Sequence, residues 1–326
     1  MPDRSLEGRL AAIGADGYVC DDEVLYLRSS VFADGVVSTQ ELDALFKVGE
    51  RAPDGDPEWP QFFAEAAADF YLREEEPAGY LTADEFETLK ARVTRNDHAS
   101  ALELGLLVKI METAALTPPD MTAFVGDQLR RAIVNRPGEP QIEKRDVMLI
   151  KRFLFAAGGA GNVAVTRHEA EILFDINDAV QAGENDPAWS ELFVQGVVNH
   201  LMAHLGYVAP SREEAFRRDA WARNHAVDVG GVFKRMMNAT GASYVNAFFS
   251  IFKDQTTNER SKALNSAREA DAEAAAKITE GEADWLAERI GRNGAFDDSE
   301  RRLIERMREL EPELPEQLRA LLRRAA

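Results

Sequence analysis

The chain has 326 residues, 45% of them hydrophobic, which is enough to bury more than one core. Its formal charge of −19 disfavours nucleic acid and anionic membrane surfaces as partners. A single cysteine, Cys20, excludes an intramolecular disulfide and suits a reducing compartment.

The opening residues, Met1 to Leu10, have neither the basic start nor the apolar run of a secretory signal. No stretch approaches the ~18 uninterrupted apolar residues of a membrane span. The expectation is therefore a soluble, cytoplasmic protein without membrane insertion. The negative charge is unevenly spread. Residues 1–117 hold 24 acidic against 10 basic residues, residues 118–245 hold 16 against 14, and residues 246–326 hold 17 against 14.

Taken in chain order, the apolar spacing is helical throughout. Val24, Leu25, Val31 and Phe32 form one stripe, followed by Leu42, Leu45 and Phe46, then Phe62, Phe63, Ala66 and Phe70, then Phe86, Leu89 and Val93. No segment alternates as a strand. Between the stripes a short unit recurs: Asp16-Gly17-Tyr18-Val19-Cys20-Asp21-Asp22-Glu23, then Asp34-Gly35-Val36-Val37-Ser38-Thr39-Gln40-Glu41. Looser versions are Ala78 to Glu85 and Asn293 to Glu300, and Val165 to Glu169 keeps the second half. The Gly supplies the left-handed residue that ends a helix. Ser38, Thr82 or Thr166 caps the next helix, and the Glu three positions on closes a capping box. Each unit is thus a helix–turn–helix corner.

A longer repeat overlies the short one. Asp56-Pro57-Glu58-Trp59 recurs as Asp186-Pro187-Ala188-Trp189, Gly79-Tyr80-Leu81 as Gly206-Tyr207-Val208, Arg95-Asn96-Asp97-His98-Ala99 as Arg223-Asn224-His225-Ala226, and Lys109-Ile110-Met111 as Arg235-Met236-Met237. The copies span roughly residues 5–116 and 124–241, with the helix-stopping Pro118-Pro119 at the seam. The predicted architecture is all-α: tandem duplicated helical-bundle domains of about six helices each, with a C-terminal helical extension. The domains are residues 1–117, the acidic first repeat; 118–245, the second repeat; and 246–326, a helical linker and hairpin. In the last, Arg260 to Glu282 reads as an exposed helix or linker, and Leu303, Met307, Leu310, Leu314 and Leu318 mark a terminal hairpin.

Gly35, Val37 and Glu41 keep the offsets of the second half of an EF-hand loop, as do Gly17, Val19 and Glu23. The first half fails, because the opening ligand positions fall on Ser30 and Phe32, and on Ala12 and Gly14. Two readings stay open: helix punctuation, or a divalent-cation site, Ca²⁺ or another ion, assembled between paired corners from Asp16, Glu23, Asp34 and Glu41. The two closely spaced units, Ala15 to Glu23 and Ala33 to Glu41, resemble the helical module of the tellurite-resistance TerB-like family. The resemblance covers mainly residues 5–90 and, more weakly, 124–215. It implies an all-helical fold with divalent metal at the acidic corners. The second copy departs from the pattern, since Gly138 to Asp146 and Gly161 to Glu169 lack the Asp-Gly pair.

His200 and His204 lie four apart on a predicted helix and could face one zinc or di-iron site, with Glu213 or His168 as a third ligand. His98 and His225 each fall at a predicted helix start after Asn or Asp, where capping explains them. Cys20 occupies the capping slot filled elsewhere by Ser38 and Thr82, and its acidic neighbours disfavour a thiolate. No phosphate loop, nucleophile elbow or His-Glu-x-x-His helix is present in the sequence. The functional expectation is a non-enzymatic, stress-related helical module that binds a divalent cation, a protein partner or itself through the acidic first repeat. The alternatives are a ligand-free scaffold and a metalloenzyme centred on His200 and His204.

Overall fold

The computed structural model describes residues 12–31, 36–73, 78–96, 98–157, 165–203, 280–292, 296–310 and 316–325. These contain twelve α-helices and one pair of two-residue parallel strands, so the fold is all-α. No described helix is long and apolar enough to cross a membrane. The chain divides into two compact units, Met1–Ala157 and Gly158–Ala326. The division falls well after Pro118-Pro119. The carbonyl of Pro118 accepts from the amide of Met121, so the two prolines lead directly into a helix of the first unit.

In the first unit, α1 (Asp21–Val31) opens with three acidic residues, which suit the positive end of a helix, and buries Val24 and Leu27. α2 (Thr39–Arg51) starts at a complete capping box between Ser38 and Glu41 and turns Leu42, Leu45 and Phe46 inward. α3 (Glu58–Arg73) buries Trp59, Phe62 and Phe63 at its start, and Ala66 and Ala67 one turn on. Those small residues suit a close approach to α5 (Ala101–Thr113). Between them in sequence, α4 (Ala83–Val93) is capped by Thr82 with Glu85. α5 is apolar almost all round, burying Leu102, Leu104, Leu106, Leu107, Val108 and Ile110, as a central helix must. α3 packs on α1, α2 and α5, while α5 also carries α6 (Met121–Val134) and α7 (Lys144–Ala157).

The strands depart from the purely helical expectation. β1 (Tyr18–Val19) pairs in parallel with β2 (Asp54–Gly55), Tyr18 opposite Asp54 and Val19 opposite Gly55. Glycine is required at position 55, because a Cβ there would lie 2.6 Å from the Val19 carbonyl oxygen and 2.8 Å from the Trp59 ring.

The second unit contains α8 (Arg167–Ala179), α9 (Ala188–Ala203), α10 (Glu280–Arg289), α11 (Asp298–Leu310) and α12 (Glu316–Ala325). Its α8–α9 pair reproduces the construction of α2–α3. Both first helices have 13 residues behind a capping box, and both second helices have 16 behind an Asp-Pro turn. In each turn the Trp amide donates to the Asp carbonyl at 2.9 Å (Trp59 to Asp56, Trp189 to Asp186). Phe46 meets Phe63 edge-on at 5.2 Å, and Phe174 meets Phe193 edge-on at 5.0 Å. At the C-terminal end α11 packs on α9 and α12 on α10, with Leu303, Met307 and Leu318 buried. The later landmarks expected of a second copy, Gly206-Tyr207-Val208, Arg223 to Ala226 and Arg235 to Met237, lie outside the described residues, as does most of Arg260 to Glu282.

Candidate functional site: the glycine–glutamate corners

The corner before α1 is held by one carboxylate. Glu23 accepts from the Gly14 amide on Oε1 at 3.2 Å and from the Cys20 amide on Oε2 at 3.0 Å. Gly14 has φ +62°, and a Cβ on it would lie 2.6 Å from the Cβ of Ala52. Left-handed backbone and close packing both demand glycine there. The next residues continue the turn: Gly17 has φ +88°, and Asp16 Oδ1 accepts from the Tyr18 amide at 3.1 Å.

Asp56, at the start of α3, ties the corner down. It accepts from the Tyr18 hydroxyl at 2.6 Å and from the Asp21 amide at 2.8 Å, and its own amide donates to the Val19 carbonyl. The Tyr18 hydrogen bond, then the Asp21 amide, lower the Asp56 carboxyl below the ordinary range, and the same carboxylate raises the Tyr18 phenol. Asp21 is raised, first by desolvation and then by the charges of Asp56, Glu58 and Asp22. Asp16, Asp21, Asp22, Asp54 and Glu58 are exposed around this corner, together with two large apolar side chains, Tyr18 and Leu25.

The other corners obey the same rule. Ser38 and Thr82 each give an amide and a hydroxyl to the Glu three residues on, Glu41 and Glu85. Ser100 with Glu103 and Thr166 with Glu169 form complete boxes too. Between α10 and α11, Glu300 accepts from Gly291, nine residues back, at 2.9 Å and from Asp297, three back, at 3.1 Å. Gly291 has φ +68°. This is the Gly14–Glu23 arrangement again, but fully buried. Burial raises the carboxyls of Glu103, Glu169 and Glu300 against the pull of the amides they accept from.

The carboxylates expected to bind a cation have backbone partners where they are described. Glu23 and Glu41 each close their own corner, Asp16 serves the Tyr18 amide, and Asp34 lies outside the described residues. Among the described residues no group of three or more His, Cys, Asp or Glu side chains could hold a metal ion. His200 is buried, with Nδ1 2.9 Å from the Val165 carbonyl oxygen and its ring edge-on to Trp285 at 5.2 Å. Its helix neighbour Asn199 accepts from the Val165 amide at 2.7 Å, so both side chains fasten the chain before α8. His204 and Glu213 lie outside the described residues, and His168 is exposed. His98 does not sit at a cap. Ser100 caps α5, and His98 lies before it on the rim of a cleft of about 200 Å³ whose other lining includes Arg136 and Asp146.

Two important residues were not singled out in the sequence. In the sequence Asp56 is only part of a recurring Asp-Pro-x-Trp landmark, and its bonds to Tyr18 and Asp21 span 38 and 35 residues. Gly14 carried no signal beside the more conspicuous Asp16-Gly17. Compared with known proteins, the chain matches no family model, no curated protein and no solved structure.

Proposed function

We propose that the protein is a non-enzymatic helical interaction module that engages a protein partner through the acidic outer face of its first unit. The observation that carries this reading is the division of labour among the carboxylates. Glu23, Glu41, Glu85, Glu103, Glu169 and Glu300 are committed to backbone amides at helix starts. The acidity left over, at Asp16, Asp21, Asp22, Asp54 and Glu58, is exposed beside Tyr18 and Leu25. Acidic charge around isolated apolar side chains suits a basic, amphipathic segment, whose cations steer the encounter while an apolar side chain anchors it. The TerB-like resemblance agrees with a helical binding module, and this reading assigns the acidic corners to helix punctuation first.

A fluorescently labelled basic amphipathic helical peptide, titrated against the full chain, tests the proposal. Binding is expected to weaken with added salt and to fall at least tenfold when Asp22→Asn and Leu25→Ala are combined. No binding at low salt, or binding untouched by that variant, overturns it.

A further inference from the structure

The first unit is not acidic throughout. Residues 121–157, which contain α6 and α7, hold 7 basic against 4 acidic residues, whereas residues 1–117 hold 10 against 24. The cleft of about 200 Å³ lies between this basic pair of helices and the start of α5. Leu104 of α5, Leu129 and Ile133 of α6, and Leu149 of α7 give it an apolar floor. Ala99, Ala101 and Ala132 keep it open, because they present only methyl groups where longer side chains would close it.

The walls of the cleft are fixed. The Ala99 amide donates to the buried Gln128 Oε1 at 3.1 Å, which ties the chain before α5 to α6. Arg136, just past the end of α6, holds Asp146 of α7 through two bonds, Nη1 to Oδ2 at 3.0 Å and Nη2 to Oδ1 at 2.9 Å. Its Nη1 also donates to the Gln141 carbonyl at 2.9 Å. These bonds leave Nε–H and the second hydrogen of Nη2 without a partner among the described residues, and 23% of the side chain is exposed. That free edge of the guanidinium is a fork that takes a carboxylate through two bonds. Asp146, the one carboxylate in the lining, is already engaged at both oxygens by Arg136 and at Oδ2 by the Glu143 amide. Arg145 also lines the cleft. It pairs with Glu143 at 2.9 Å with 62% of its side chain exposed, a weak pair that an incoming anion can replace. His98, on the rim, is exposed and has no partner among the described residues.

We propose that this cleft binds a small monocarboxylate carried on a ring-sized apolar body. An apolar cavity of about 150 Å³ engineered into another protein holds benzene, so about 200 Å³ has room for one ring and a carboxylate. The ring lies on the leucines and alanines, and the carboxylate takes the free edge of Arg136 with Arg145 and His98 beside it. Preformed walls, an apolar floor and a few convergent polar groups are what such a ligand needs. The local excess of basic residues in an otherwise acidic unit favours the anion at this place.

Benzoate titrated into the full chain, followed through the NMR amide shifts of Ala99, Ser100 and Ala101, tests the proposal. Saturable shifts with a millimolar or tighter Kd are expected. Acetate has the charge without the ring, and benzyl alcohol the ring without the charge; each should bind more weakly by about tenfold or more. Arg136→Lys keeps a cation beside Asp146 but lacks the fork, and should weaken benzoate by about tenfold. Ala101→Leu, at an exposed position of the wall, narrows the cleft without touching the Arg136–Asp146 pair, and should also weaken benzoate. Absence of saturable shifts with benzoate overturns the proposal, as does equal binding of acetate or benzyl alcohol. Unchanged benzoate affinity in folded Arg136→Lys or in Ala101→Leu overturns it too, and Ala101→Leu decides the matter if Arg136→Lys does not fold.

Discussion

The corners at Gly14–Glu23 and Gly291–Glu300 use the same atoms in different surroundings. In both, a left-handed glycine and the amide before the helix give their hydrogens to one glutamate. Glu23 is half-exposed; Glu300 has no exposed surface, and desolvation raises its pKa. The pair separates what the motif does from what its setting adds. Nine-residue spacing and two amides are sufficient to make the corner. Burial then couples the same carboxyl to pH.

The glycines differ most. A methyl at Gly14 meets both a left-handed backbone and the Cβ of Ala52 at 2.6 Å, whereas at Gly291 it lies 3.2 Å from the edge of the Phe296 ring. Gly14→Ala is expected to cost about 2–4 kcal/mol, the sum of strained φ and overpacking. Gly291→Ala should cost about 1–2 kcal/mol, chiefly for the backbone. Urea unfolding of both variants measures the gap, and equal losses would mean that the Ala52 contact gives way easily.

The glutamates come next. Glu300→Gln replaces one buried acceptor oxygen by an N–H facing another N–H, for an expected loss of about 1–3 kcal/mol. Glu23→Gln, half-exposed, should lose about 1 kcal/mol or less, because water can serve the released amide.

A smaller effect is the pH dependence. Glu103, Glu169 and Glu300 have raised folded-state pKa values, so the folded state holds their protons more tightly than the unfolded chain does. Their stabilising contribution is fully present below the ordinary glutamate value and is lost as pH rises through the raised one. Asp56 runs the other way: its lowered carboxyl contributes above the ordinary aspartate value and loses that contribution as pH falls. Denaturant midpoints measured upward from pH 4.5 should fall less steeply in Glu300→Gln than in the native chain. The smallest effect is expected from Tyr18→Phe. It removes the largest cause of the Asp56 shift, and carboxyl titration followed by NMR should show Asp56 moving back up.

Local chemistry was the legible part of the sequence. A Ser or Thr three residues before Glu identified the boxes at Ser38, Thr82 and Thr166, because both partners of those bonds lie within one helical turn. Gly14 was not legible, since its meaning depends on a carboxylate nine residues away and on Ala52 in another helix. Asp56 and Arg289 act across 35 to 118 residues, so only packing reveals their partners. His98 misled because an Asn-Asp-His sequence looks like a cap, yet Ser100, two residues later, has the Glu at the required offset. The unit boundary was hidden similarly. Pro118-Pro119 stops a helix, but whether a proline pair ends a domain depends on what the next helix packs against, and α6 packs on α5.

The claim at the centre is that the corner glutamates hold the backbone and not a metal. Melting the full chain with millimolar Ca²⁺, Mn²⁺ or Zn²⁺, against EDTA, tests it most directly. The melting temperature is expected to be the same in every case, for the native chain and for Glu23→Gln alike. A saturable rise with any of these ions that disappears in Glu23→Gln or Glu41→Gln would contradict it.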